Sequence, residues 1–302
     1  MKSLLTLLAL LLPFIVAGQT TGDDDVLYES YDVTPDSLFL PWAEGPAVDP
    51  EGVLYSVNYE RKGTIGYVRP DGSHGLFVNL PEGSTGNGIR LWKDKVLLVA
   101  DYTGHKILSV RLSDQSIGVV AHEEEMNQPN DLAITSGGII YASDPNWDTG
   151  EGSIWMADLN GNMMLLEKDM GTTNGIEVSP SEDLLYVNES NNRNVWVFDI
   201  LDDGSIDNKR LLIDFDDHGL DGMRCDEEGN LYITRMDRGT VVIVSPGGEV
   251  LHEIPLKGDK PTNVAFGGED GRTVFVTVAD RGAIEAFRTE FAGRSFRMSE
   301  AW

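Results

Sequence analysis

Six times along this 302-residue chain a carboxylate or amide residue stands just before a short apolar run: Glu44, Asn87, Asn130, Asn174, Asp221 and Asn263, at intervals of 42 to 47 residues. A near-constant period of that size, with several strand-like runs inside each unit, predicts an all-β fold: a six-bladed β-propeller of four-stranded antiparallel blades. If every unit opens its innermost strand at the equivalent point, the six residues face one another around a central channel. What they present there is oxygen.

The third unit shows the pattern. Its apolar runs 132–134, 139–142, 153–157 and 163–166 are separated by Ser136-Gly137-Gly138, a loop over 144–152 and Asn160-Gly161-Asn162, which are turn-forming segments between short strands. The fourth and fifth units repeat it, and the first, second and sixth have weaker outer strands. Residues 26–40, ahead of the first unit, are expected to supply the missing outer strand of the sixth, so that the ring closes without an open sheet edge. One domain over residues 19–302 follows from the unbroken period.

Residues 1–18 read differently. Lys2 is followed by an apolar stretch over 4–16 and the small residues Ala17 and Gly18, the pattern of a signal peptide and too short to span a bilayer. The mature chain is therefore expected to be secreted or periplasmic, with no membrane partner once the leader is removed. The 50 Asp and Glu against 23 Lys and Arg give a formal charge of −27, a field that repels nucleic acid and draws cations. The single cysteine, Cys225, excludes an internal disulfide and reads as a small buried residue.

In an antiparallel blade the start of the first strand and the end of the second lie at one face. The loops after the second strands, beginning at Asn58, Asp101, Asp144, Glu189, Arg235 and Asp280, therefore border the same mouth as the ring. They nominate Tyr102, His105, Trp147, Arg193 and Arg235 as substrate-binding groups. Such a mouth suits a small polyhydroxylated or ester-like substrate.

The ring contains neither His nor Cys, so hard divalent cations that take oxygen ligands are favoured: calcium first, with magnesium and manganese also open. Two carboxylates, Glu44 and Asp221, would balance one divalent charge. The competing account is that Asn and Asp at strand starts only bond their own backbone.

The segments Glu44-Gly45-Pro46, Gly86-Asn87-Gly88, Gln128-Pro129-Asn130-Asp131-Leu132, Thr173-Asn174-Gly175-Ile176 and Leu220-Asp221-Gly222-Met223 resemble the motifs of the gluconolactonase and regucalcin (senescence marker protein) family, in order and over about residues 42–287. The resemblance implies one catalytic divalent metal, calcium or zinc in that family, held by Glu44, Asn130, Asn174 and Asp221. It places Asn87 beside the metal, and Gln128 where animal members carry a substrate-binding arginine. Asn263 matches no ligand.

The function expected is metal-dependent hydrolysis of a small lactone, with Asp221 activating water and Asp148 as the other candidate base. His105 and His218 are weighed for the same role. A non-enzymatic binding propeller and a calcium-dependent phosphotriesterase or aryl esterase stand as alternatives. Oligomeric state is left open by the sequence.

Overall fold

The computed structural model describes residues 26–300. The leader proposed for residues 1–18 lies outside the described residues. Six four-stranded antiparallel sheets make up the architecture, and each corresponds to one sequence unit, so the chain folds as a six-bladed β-propeller. In the third blade the strands are Leu132–Ile134, Ile140–Asn146, Glu151–Ala157 and Met163–Met170. They pair in chain order from the axis outward. The innermost strands of the second, fourth, fifth and sixth blades are Gly86–Trp92, Thr173–Val178, Gly219–Cys225 and Pro261–Gly267.

Ring closure follows the expected route. Strand Tyr31–Asp32 pairs with Ala283–Arg288, the third strand of the sixth blade, through Tyr31 opposite Ala286 and Asp32 opposite Glu285. Arg281 fastens this seam, binding Asp32 at 2.7 Å, Asp36 at 2.6 Å and the buried Glu285 at 2.7 Å.

The apolar core is divided among the blade interfaces. Each of six buried clusters joins two neighbouring blades; Leu98, Ala100 and Ile107 meet Leu132, Ile140 and Trp155, for example, and Phe39, Leu54 and Tyr59 meet Ile284 across the seam. Strands two and three of each blade therefore read as apolar on both faces, because each face packs against a different neighbour. Cys225 is buried in the interface between the fourth and fifth blades.

A residue within two places of the end of each second strand repeats with the blades and acts as a latch. Asp101 accepts a hydrogen bond from Thr85 N–H, Asp144 from Asn127 and Gln128 N–H, Glu189 from Gly171 N–H, and Asp280 from Asp259 and Lys260 N–H. In the first and fifth blades the polarity reverses. Asn58 donates to Trp42 O and Arg235 donates to Asp217 O. Each latch thus fixes the segment that leads into the innermost strand of its own blade.

Below the ring the axis is filled by charge. Arg90 and Arg224 each place a guanidinium nitrogen 3.0 Å from the Asp131 carboxylate, and Glu177 lies 3.8 Å from Arg90 and 3.5 Å from Arg294. All five side chains are buried. Arg294 opens the helix Arg294–Glu300, and also donates to Ile134 O and Ser179 O at the far ends of inner strands. The helix therefore covers the face opposite the ring.

Candidate metal centre and active site

Glu44, Asn87, Asn130, Asn174 and Asp221 line one cavity at the open face of the channel, with a volume of about 570 Å³. That is within the roughly 300–1,000 Å³ of small-molecule sites. Four of the five are followed by glycine for a geometric reason. A Cβ at Gly45 would stand 2.0 Å from Asn87 O, and one at Gly222 would stand 2.0 Å from the Asn263 side chain. At these four entries the next blade's inner strand stands too close to leave room for a side chain.

Within this crowded ring the side chains face a charge problem. Burial, then the charge of Asp131, pushes the Glu44 carboxyl up to about 8. Burial, then the charge of Glu44, pushes Asp221 well above the usual carboxylate range. The Asn174 amide hydrogen-bonds Asp221 and donates to Ser190 Oγ at 3.0 Å. Asn130 Oδ1 and Asn174 Oδ1 are buried with no hydrogen-bond partner, a costly condition for amide oxygens in an apolar interior.

These observations fit a hard divalent cation. Two mutually repelling carboxylates and two unpartnered carbonyl oxygens converge, and one dication would relieve both conditions with an all-oxygen ligand set. Among the described residues no group of three His, Cys, Asp or Glu side chains could hold a metal. A soft-metal site is thereby disfavoured, and a mixed carboxylate and amide site is not.

Asn263, the sixth member of the ring, sits behind Glu44. Its Nδ2 donates to Glu44 Oε1 at 3.3 Å and its Oδ1 accepts from Val264 N–H at 2.9 Å. It orients Glu44 rather than facing the cavity.

Of the side chains nominated from the mouth loops, Tyr102 and Trp147 line the cavity. Their phenol and indole hydrogen-bond one another, and burial raises the Tyr102 phenol. The other three do not line it, and neither does Gln128, nominated from the strand entry before Asn130. Gln128 donates its backbone N–H to Asp144 at 2.6 Å, and the His105 ring bonds Met126 O. Arg193 donates to Phe215 O at 3.0 Å. Arg235 stacks over the Phe215 ring at 4.2 Å and is the latch of the fifth blade. His218 pairs with Asp217 at 3.3 Å, and neither it nor Asp148 lines the cavity.

Sequence reasoning missed Pro41, Trp42, Thr85, Leu220 and Lys62, all of which line the cavity. A signal for four of them was present. The residues one to three places before a ring member climb from the ring to the mouth, as Pro41 and Trp42 do before Glu44, Thr85 before Asn87 and Leu220 before Asp221.

Fold and site define the class: a six-bladed propeller whose axial pocket has carboxylate and amide side chains on its floor. The chain belongs to the family described as SMP-30/Gluconolactonase/LRE-like, whose model matches residues 42–280. A gluconolactonase of Zymomonas mobilis is 28% identical over 280 residues, covering 80% of this chain and 77% of its own. Diisopropyl-fluorophosphatase of Loligo vulgaris is 25% identical over 289 residues, covering 84% and 91%. Among solved structures, a gluconolactonase from Xanthomonas campestris superposes with a TM-score of 0.74 at 20% identity, covering 86% of this chain and 89% of that one.

Proposed function

We propose that this protein is a metal-dependent hydrolase that opens a small lactone at the mouth of the propeller channel. The observation that carries the reading is the convergence of Glu44, Asp221 and the unpartnered Asn130 and Asn174 oxygens on one cavity floor. The gluconolactonase among its relatives supports the lactone as substrate.

Glu44, Asn130, Asn174 and Asp221 would hold the cation, calcium in the first instance. When bound it supplies Lewis-acid polarisation of the ester carbonyl and charge stabilisation of the oxyanion. The chain's own residues do the rest. Asn263 holds Glu44, and Ser190 holds Asn174, so the ligands are preset before substrate arrives. Asp221 stands on the cavity floor and would accept a proton from the attacking water at a carboxylate oxygen. Asn87 lines the same floor and would steady the lactone ring oxygen or carbonyl. The cavity contains no serine–histidine pair, and none is required for water attack on a polarised ester.

A second reading, cleavage of phosphotriesters at the same floor, is favoured by the diisopropyl-fluorophosphatase among the relatives. We also propose that residues 1–18 act as a leader that directs export of the domain over 19–302.

Acid release on lactone opening tests the proposal, measured with and without chelator and against a phosphotriester control. Asp221→Ala is expected to lower turnover by at least about 10³-fold while circular dichroism stays that of the wild type. Full activity in that variant, or in chelator, would sink the reading.

A further inference from the structure

One hydroxyl on the cavity wall carries a proton that no group of the protein accepts. Ser190 follows the latch Glu189, as Tyr102 and Met236 follow the latches Asp101 and Arg235, and all three line the cavity. Ser190 is only 7% exposed, and its backbone is pinned from two sides. Its N–H donates to Thr172 O at 2.8 Å, and its carbonyl accepts from Leu220 N–H at 3.4 Å. The entries of the fourth and fifth blades thus hold it in place.

The bond at its side chain has a fixed direction. Asn174 Nδ2 donates to Ser190 Oγ at 3.0 Å, and the same amide favours the ionised Asp221 carboxylate by a hydrogen bond, so its nitrogen faces both oxygens. Ser190 Oγ is therefore the acceptor in this pair, and its own O–H is left to donate. Asn174 Oδ1 does not receive that proton, because it has no partner, and among the described residues no other acceptor takes it. Thr262, the other buried hydroxyl lining the cavity, directs its proton to Ala43 O at 2.7 Å. A buried donor left unmade is costly, and the side open to Ser190 is the cavity. No histidine lines that cavity, so the hydroxyl lacks the adjacent base that would make it a nucleophile.

We infer that Ser190 is a catalytic residue whose hydroxyl donates a hydrogen bond to the carbonyl oxygen of the bound ester and tightens on it as negative charge develops there. The water oxygen bonds the carbonyl carbon, one water proton passes to the Asp221 carboxylate, and the C=O π pair moves onto the oxygen facing Ser190. When the ring C–O bond breaks, that pair re-forms the carbonyl, and the departing ring oxygen takes the proton from Asp221. Ser190 keeps its own proton throughout. A donor held by backbone and by Asn174 before substrate arrives needs no reorganisation at the moment of reaction. The inference rests on the lactone-hydrolase reading for the reaction, and on the bonds of Ser190 alone for the donor.

Ser190→Ala and Ser190→Thr, the second of which keeps the hydroxyl, test it. Alanine also removes the acceptor that holds Asn174, so calcium binding is measured first by calorimetry, where a weakening of about 10–100-fold is expected for Ser190→Ala. Hydrolysis of D-glucono-1,5-lactone is then followed at calcium saturating for each protein. Ser190→Ala is expected to lower kcat about 10²-fold with little change in KM, and Ser190→Thr to recover most of the loss. A second readout needs no turnover. The infrared carbonyl stretch of δ-valerolactam, isotope-labelled at its carbonyl and bound to the calcium-loaded protein, should move to higher wavenumber in Ser190→Ala and return in Ser190→Thr. A kcat restored by calcium alone, a stretch indifferent to alanine, or no binding of the lactam would overturn the inference. A stretch that depends on Ser190 without lactone turnover by the wild type would keep the donor and refute the hydrolase. Turnover with a stretch that ignores Ser190 would do the reverse.

Discussion

At the scale of single residues, the least conspicuous member of the repeat turns out to orient another. Asn263 was legible as a blade equivalent with no ligand role, because sequence spacing places its backbone but not its side chain. Its carboxamide bonds both Glu44 and the Val264 N–H. Asn263→Ala is expected to raise the metal dissociation constant about 10–100-fold, read by calorimetry; an unchanged constant would remove Asn263 from the site. The same distinction between position and direction explains the arginines. Loop placement put Arg193 and Arg235 beside the mouth, but side-chain direction was decided by Phe215, whose carbonyl holds one and whose ring carries the other. Tyr102 and Trp147 stand in equivalent loops and turn inward instead.

At the scale of elements, closure was the boldest expectation from sequence, and it was legible because a propeller with an unpaired third strand would leave a sheet edge bare. A strand of only two residues, Tyr31–Asp32, needs more than backbone pairing to stay in place. Arg281 provides it by bridging Asp32 and Asp36 to Glu285, which is fully buried and also accepts Lys257 and Gly258 N–H bonds. Arg281→Met would leave the Glu285 charge without its cation. The expected loss is about 2 kcal/mol of stability, less than for a fully buried pair because the acidic partners at Asp32 and Asp36 are solvent-exposed. Urea unfolding of the variant checks this. The latches were half legible: their positions were seen as loop starts, whereas their inward bonding required knowing that Thr85, Gln128 and Gly171 pass beneath them.

At the scale of the whole molecule, the proposed cation would couple to folding through the charge repelled within the ring. The native state should bind a divalent cation that the unfolded chain does not, so stability should rise with free metal as RT ln(1 + [L]/Kd), about 2.7 kcal/mol at one hundred times Kd. Thermal melts over a calcium titration should show a midpoint that climbs with the logarithm of free metal, and Asp221→Ala should flatten that climb. A midpoint indifferent to calcium would argue against the centre. The overall architecture was readable because one period of about 44 residues dictates blade count, axis and ring together, whereas nothing in that period announces the arginine and carboxylate column below it. That column, Arg90, Asp131 and Arg224 beneath the ring with Glu177 and Arg294 under them, leaves the tunnel blind. On the lactone-opening proposal, reactant and departing acid would share a single doorway, so accumulated product is expected to compete directly with fresh ester.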